Sequence, residues 1–134
     1  MTAYTDLMAF QRETEALGQI AGRLGWDQET MMPRGAADQR GEEMAALEAV
    51  LHGRRTDPQI GDWLAAIDAS ALDAVGAAQV REITRSFERN AKVPSKLAAE
   101  IARVTSKSQG EWAQARKNED FAAFVPTLER VVAL

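Results

Sequence analysis

The sequence contains no cysteine and a single histidine, His52, among its 134 residues. Without cysteine the chain can form neither a disulfide framework nor a thiolate zinc site, and a zinc site usually needs three or four Cys, His or carboxylate ligands. The helical zinc-protease signature His-Glu-x-x-His is also missing. We therefore predict no metal ligand in this chain, and we interpret His52, near a predicted helix end, as a surface or capping residue.

A basic stripe and a long apolar run are missing as well. Sixteen Lys and Arg residues are interleaved with twenty Asp and Glu residues, for a net charge of -4, which argues against a nucleic-acid partner. No segment approaches the roughly 18 uncharged apolar residues needed to span a bilayer, and the N-terminus does not resemble a signal peptide. We expect a cytoplasmic protein with no membrane partner.

The residues that are abundant favour helices. The chain is 46% hydrophobic and 27% charged, which is typical of a soluble globular protein, and its length suits one domain, residues 1–134. Apolar residues recur at three- and four-residue steps, and β-branched alternation is nearly absent. The pattern predicts an all-α fold of five to six helices arranged as antiparallel hairpins.

Glycine and proline separate the predicted helices. Gly25 is expected to close the first helix in the left-handed conformation, and Asp57 to cap the third with Pro58 at its first position. Asp120 is expected to cap a turn that precedes Pro126. The predicted helices are Tyr4–Leu24, Gly35–Leu51, a short one after Pro58, Ala71–Asn90, Pro94–Lys117 and a final one after Pro126.

Helical periodicity also assigns the buried face of each helix. Trp63 and Trp112 are interpreted as core residues. For Trp26, in the predicted connector, a core position and a position in a binding site are equally favoured. Gly18 and Gly22 lie within the first helix, where either a close backbone approach or simple tolerance explains them. The side chains expected to face inward are Leu7, Phe10, Leu17, Ile20, Ala21, Leu24, Ala37, Met44, Leu47, Leu51, Ile60, Trp63, Leu64, Ile67, Val80, Ile83, Phe87, Leu97, Ile101, Val104 and Trp112.

The connector Gly25–Pro33, between the first two predicted helices, has an unusual composition. Connectors are usually small and polar, whereas this one combines a tryptophan and two methionines with two carboxylates. The apolar side chains favour burial, and the polar ones need hydrogen-bond partners or water. We therefore expect the connector to pack against another surface.

Candidate catalytic groups are weak. For Asp27 and Glu29 we favour caps and loop hydrogen bonds over acid–base chemistry, and for Glu42 and Glu43 a solvated helix face. The single histidine is far in sequence from any serine in a nucleophile-elbow motif, so a Ser–His catalytic pair is not supported. A glycine-rich phosphate-binding loop is also absent from the sequence. The residues by themselves predict a helical domain without a catalytic constellation.

The C-terminal end suggests an interruption. The chain stops at Leu134 inside an apolar-faced helix, without the glycine, asparagine or basic residue that usually follows a helix. We interpret this end as a cut. Apolar surface is expected to be uncovered around Phe121, Phe124, Leu128, Val131 and Val132.

The segment Trp26–Pro33, Trp-Asp-Gln-Glu-Thr-Met-Met-Pro, resembles the N-terminal motif of the carboxypeptidase Taq family of zinc metallocarboxypeptidases. Further matches follow in the same order and at similar spacings: Thr56-Asp57-Pro58, Lys92-Val93-Pro94 and the stretch Asp120–Val132. The resemblance covers essentially the whole chain, and its motifs are specific when taken together.

The resemblance implies a larger, almost wholly helical and usually homodimeric enzyme that removes C-terminal residues from peptides. One divalent metal, zinc or another, is held there by a His-Glu-x-x-His helix and a downstream Glu, and the Glu of that motif activates water. Those elements lie beyond this chain, so the resemblance assigns no catalytic residue, metal ligand or cofactor here. It implies a groove wall or lid whose candidate groove-lining residues are Trp26, Asp27, Glu29, Thr30 and Met31.

Two hypotheses follow. The first is the N-terminal helical segment of such a peptidase, catalytically silent alone, whose partner is the missing catalytic part and whose peptide substrate binds only in the full-length context. The second is a free-standing helical interaction module without enzymatic activity. Uncovered apolar surface tends to find a partner, so self-association is expected.

Overall fold

The computed structural model describes residues 2–134 and contains, within that range, helices and no strand. The predicted all-α fold is confirmed, with six α-helices. A 3₁₀ turn precedes α2, at Arg34–Ala36, and another precedes α4, at Ala69–Ala71. The α-helices are α1 (Ala3–Thr30), α2 (Ala37–Arg55), α3 (Pro58–Ala66), α4 (Ala74–Asn90), α5 (Ser95–Lys117) and α6 (Phe121–Val132).

Consecutive helices pair as hairpins around a central α2. The pairs α1–α2, α3–α4 and α5–α6 are in contact, and α2 also packs against α4 and most extensively against α5. The fully buried side chains Leu7, Leu51 and Ile60 come from α1, α2 and α3. They join the first hairpin to the short third helix, where Phe10 and Trp63 pack at a ring-centroid distance of 5.5 Å.

The close crossing of α2 and α5 depends on small residues. Ala45, Ala98 and Ala115 are buried, and a Cβ added at Gly41 would lie 3.0 Å from Cγ of Lys107. The two glycines of α1 behave differently, because a Cβ at Gly18 or Gly22 would have no neighbour within 4 Å. Tolerance, not close approach, therefore explains the α1 glycines.

Aspartate occupies the N-cap position of several helices, where polar side chains are favoured because they accept hydrogen bonds from free backbone amides. Asp57 accepts a 2.9 Å hydrogen bond from the amide of Gln59, with Pro58 opening α3, and Asp120 accepts one from Ala123 at 3.1 Å. The predicted break at Pro126 is wrong, because α6 runs continuously through it.

The predicted end of α1 at Leu24 is also wrong. The helix continues to Thr30, and Gly25 is not left-handed, since no glycine among residues 2–134 has positive φ. The break comes at Pro33, which lacks an amide hydrogen and disfavours helical geometry at the residue before it. The segment predicted as a connector is therefore mostly two further turns of α1.

Three side chains predicted to face inward are exposed instead: Ile20, Ile101 and Trp112. The opposite error occurs at His52, which was predicted to be a surface or capping residue. It is only 5% exposed, and neither ring nitrogen has a hydrogen-bond partner. Helical periodicity identified the apolar faces of α1 and α2. It could not show which part of an apolar face packs against a neighbouring helix.

Candidate functional site

The last two turns of α1 are attached to α2 through Arg40. Its Nη2 donates to Oδ2 of Asp27 at 2.6 Å and its Nη1 donates to the carbonyl of Leu24 at 2.6 Å. Nε donates to Oε2 of Glu43 at 2.9 Å, which fixes the guanidinium from its own helix. The hydrogen bond to Asp27 is the main cause that raises the pKa of Arg40 above its ordinary value.

The same end of α1 also reaches α5. Gln28 and Ser106 form a reciprocal pair: Nε2 of Gln28 donates to the Ser106 carbonyl at 2.7 Å, and Oγ of Ser106 donates to Oε1 of Gln28 at 3.0 Å. Nε2 of Gln109 donates to Oε1 of Glu29 at 2.6 Å. Asp27 and Glu29 therefore make interhelical contacts, not the predicted caps and loop hydrogen bonds.

Beside these contacts lies a broad depression of about 950 Å³, here called the concave face. It is formed by the end of α1, the 3₁₀ turn Arg34–Ala36, the start of α2, the second half of α5 and the start of α6. The side chain of Trp112 is 52% exposed on it, and Gln114 accepts a hydrogen bond from Arg34 at its edge. Its principal lining side chains are Glu29, Met32, Arg34, Lys107, Trp112 and Gln114.

Two ion pairs connect α2 to α5 next to the concave face. Nζ of Lys107 lies 2.8 Å from Oδ1 of Asp38, and Nε of Arg103 lies 2.8 Å from Oε1 of Glu42. These partners lower the pKa of the Asp38 and Glu42 carboxyl groups below their ordinary values, chiefly through the hydrogen bonds. Lys107 and Arg103 are thus already paired with carboxylates, whereas Arg34 on the concave face donates to the neutral amide of Gln114.

Of the five candidate groove-lining residues, only Glu29 lies on the concave face. Asp27 is directed to Arg40, and the hydroxyl of Thr30 donates to the Trp26 carbonyl at 2.7 Å. Trp26 and Met31 do not line the depression, although they are 64% and 72% exposed. Sequence reasoning missed Met32, Arg34 and Trp112 as lining residues; the outward position of Trp112 had no signal in the helical period.

The described residues do not form a metal centre. Among residues 2–134, no three His, Cys, Asp or Glu side chains come together in a way that could hold a metal ion. His52 lies buried between the helices, away from the concave face. In the same range, no helix is sufficiently long and apolar to cross a membrane.

Comparison with known proteins gives a consistent match. Residues 6–134 match the family model described as carboxypeptidase Taq (M32) metallopeptidase. The chain is 41% identical to thermostable carboxypeptidase 1 of Thermus thermophilus over 138 residues, which cover 98% of the chain and 27% of the relative. It is 26% identical to thermostable carboxypeptidase 1 of Pyrococcus furiosus, covering 96% of the chain and 26% of that protein.

A third relative, carboxypeptidase 1 of Bacillus subtilis, is 23% identical over 81% of the chain and 22% of its own length. The chain therefore spans about a quarter of the length of the curated relatives it matches.

Proposed function

This chain belongs to the carboxypeptidase Taq (M32) metallopeptidase family, and we propose that it forms the non-catalytic N-terminal helical part of a metal-dependent carboxypeptidase. In this proposal the concave face forms one wall of the groove that receives the peptide. The alternative, a free-standing interaction module, requires no such groove. The expected cytoplasmic location and the identity of the metal as zinc remain predictions.

The observation that carries the proposal is the half-exposed indole of Trp112 on the concave face. An aromatic side chain without an apolar cover is well suited to contact an extended peptide, because it offers a large surface at little entropic cost. Amide side chains flank it, those of Gln109 and Gln114, and such groups can orient a peptide backbone.

The part played by residues 2–134 is to shape the groove. Their carboxylates and their one histidine do not fit a divalent metal, so no catalytic step is assigned to them. Walls of this kind contribute by excluding water and by holding the substrate, which lowers KM. The isolated chain is accordingly expected to be catalytically silent.

The test joins this chain to the remaining three quarters of the Thermus thermophilus relative and measures the release of C-terminal residues from a peptide with an added divalent metal. Trp112→Ala is expected to raise KM about tenfold with a smaller change in kcat, because a substrate contact is lost. Val75→Ala, which shortens an exposed apolar side chain on α4 away from the concave face, is the control.

Two results would contradict the proposal. One is an unchanged KM in the Trp112 variant of an active joined protein. The other is metal-dependent peptide cleavage by the isolated chain, in amounts stoichiometric with it, since that would place a catalytic centre within these residues.

A further inference from the structure

Helix α6 carries an apolar stripe on a side that does not face α5. Phe121, Val125, Leu128 and Val132, here called the α6 seam, follow one another at intervals of four, three and four residues. Phe121 is 67% exposed and Val132 is 79% exposed. The other two seam residues, Val125 and Leu128, are partly exposed. This spacing places all four side chains on one face of the helix.

The contact between α6 and α5 uses a different side of the helix. Thr127 is buried and its hydroxyl donates to the carboxylate of Glu111, and Nη2 of Arg130 lies 3.6 Å from the same carboxylate. At 3.6 residues per turn, Thr127 lies roughly a third of a turn away from the seam. The contact between α5 and α6 therefore leaves the seam uncovered.

The spacing of the seam favours a helix as its occupant. Side chains at alternating three- and four-residue intervals form the ridge that interdigitates with a second helix at a shallow crossing angle. A strand or an extended peptide would not match this ridge, because its side chains repeat every second residue.

The size of the seam decides where that helix comes from. The 12 residues of α6 span about 18 Å, and a helix is about 10 Å wide, so the footprint is on the order of 200 Å². A stable contact between separate chains buries about 800 Å² on each partner, so the seam alone is too small for a dimer. A helix attached to the same polypeptide has a high effective concentration and can use a small surface.

We propose that the α6 seam docks a helix from the part of a carboxypeptidase Taq chain that lies outside the matched quarter. This inference rests on the proposed function, since it requires that the remaining three quarters of such a chain accompany these helices. The occupant is an amphipathic helix with its own apolar stripe.

Thiol labelling tests the proposal, because the chain has no cysteine of its own. Val132→Cys is compared with Val75→Cys, a control on α4 where the valine is 65% exposed. Maleimide labelling at each position is followed by mass spectrometry in the isolated chain and in the chain joined to the remainder of the Thermus thermophilus relative. We expect labelling at position 132 to be at least about tenfold slower in the joined protein and labelling at position 75 to change little.

A second measurement does not depend on labelling. Val132→Gln is expected to lower the thermal midpoint of the joined protein and to leave that of the isolated chain nearly unchanged, whereas Val75→Gln should change neither. The neutral glutamine avoids an interaction of a new charge with the helix dipole at either helix end. Equal labelling of Val132→Cys in the joined protein and in the isolated chain overturns the proposal. Protection that appears in the isolated chain and grows with its concentration also overturns it, because the occupant would then be a second copy.

The two proposals fail in different ways. If Trp112→Ala raises KM in an active joined protein while Val132→Cys stays freely labelled, the seam proposal fails and the groove wall stands. If position 132 is protected but Trp112→Ala leaves KM unchanged, the groove wall fails and the seam proposal stands.

Discussion

Arg40 donates from one guanidinium to both the carboxylate of Asp27 and the carbonyl of Leu24, each at 2.6 Å. Through these two bonds α2 fixes the last turns of α1, in which Trp26 is exposed, and the exposed cap residue Met31 follows them. A helix end that would otherwise fray is thereby held in one conformation. The orientation of the edge of the concave face therefore depends on a contact outside it.

Replacing Arg40 by methionine should lower the free energy of unfolding by about 1–2 kcal/mol, because hydrogen bonds to a carboxylate and a carbonyl are lost. The loss is small for an ion pair with a hydrogen bond, because Asp27 is partly exposed to water. Urea denaturation measures the change. Arg81→Met is the control, since Arg81 is exposed and pairs with its neighbour Glu82 on the same helix. Equal losses in the two variants would show that the α1 end is held by other contacts.

Gly41→Ala and Gly18→Ala should have different effects on stability. Both positions are helical, so alanine gains about 0.5–1 kcal/mol in propensity at each. At Gly18 nothing opposes that gain, whereas at Gly41 the new methyl group would meet Lys107 at 3.0 Å. We expect Gly18→Ala to stabilise the chain and Gly41→Ala to be neutral or destabilising in urea denaturation. Equal stabilisation by both would mean that the α2–α5 crossing can relax without cost.

The sequence contained enough information for the helices and for several of their starts. The fold class, the breaks at Pro33, Pro58 and Pro94 and the caps at Asp57 and Asp120 follow from local chemistry, which acts within a few residues. Helix ends were harder. The left-handed backbone conformation expected at Gly25 is absent there. Among the described residues it occurs at Glu119, just after α5, with φ of 54°, and glutamate gives no sequence signal for it.

The site could not be predicted in the same way, because its contacts are distant in sequence. Asp27, Gln28 and Glu29 find partners on α2 and α5, so the chain remains helical where its composition suggested a connector. Trp112 shares the period of the inward residues but faces the depression. Local pattern identifies a face of a helix, and only the arrangement of all the helices decides whether that face is covered.

His52→Leu should raise the free energy of unfolding by about 1 kcal/mol, because a buried polar ring without hydrogen bonds is replaced by an apolar side chain of similar size. Thermal and urea denaturation measure the gain. Leu51→Ala, at the adjacent buried position, is the comparison and should cost about 2–5 kcal/mol. A loss of stability in His52→Leu would show that the imidazole has a polar partner in solution.

Acid should weaken the contact between α2 and α5. The Lys107 and Arg103 partners hold the pKa of Asp38 and of Glu42 below the ordinary values of 3.8 and 4.5. A carboxyl group whose pKa is lower in the folded state stabilises that state above its unfolded pKa, and this stabilisation disappears as the pH falls through the folded pKa. The loss should therefore begin as the pH falls to about 4.5 and continue as the pH falls through the lowered folded-state pKa of each carboxyl group.

The double variant Asp38→Asn with Glu42→Gln isolates this contribution. Its thermal midpoint should be lower than that of the unmodified chain near neutral pH, and the two midpoints should converge as the pH falls, because protonation removes the same interactions from the unmodified chain. Added salt should reduce the difference, since both pairs are exposed and ions screen them. Glu15→Gln combined with Glu88→Gln, which removes two exposed charges on α1 and α4, controls for the change of two in net charge. A difference that persists undiminished at low pH would assign the effect to packing of the new amides, and the ion pairs would then contribute nothing measurable to the α2–α5 crossing.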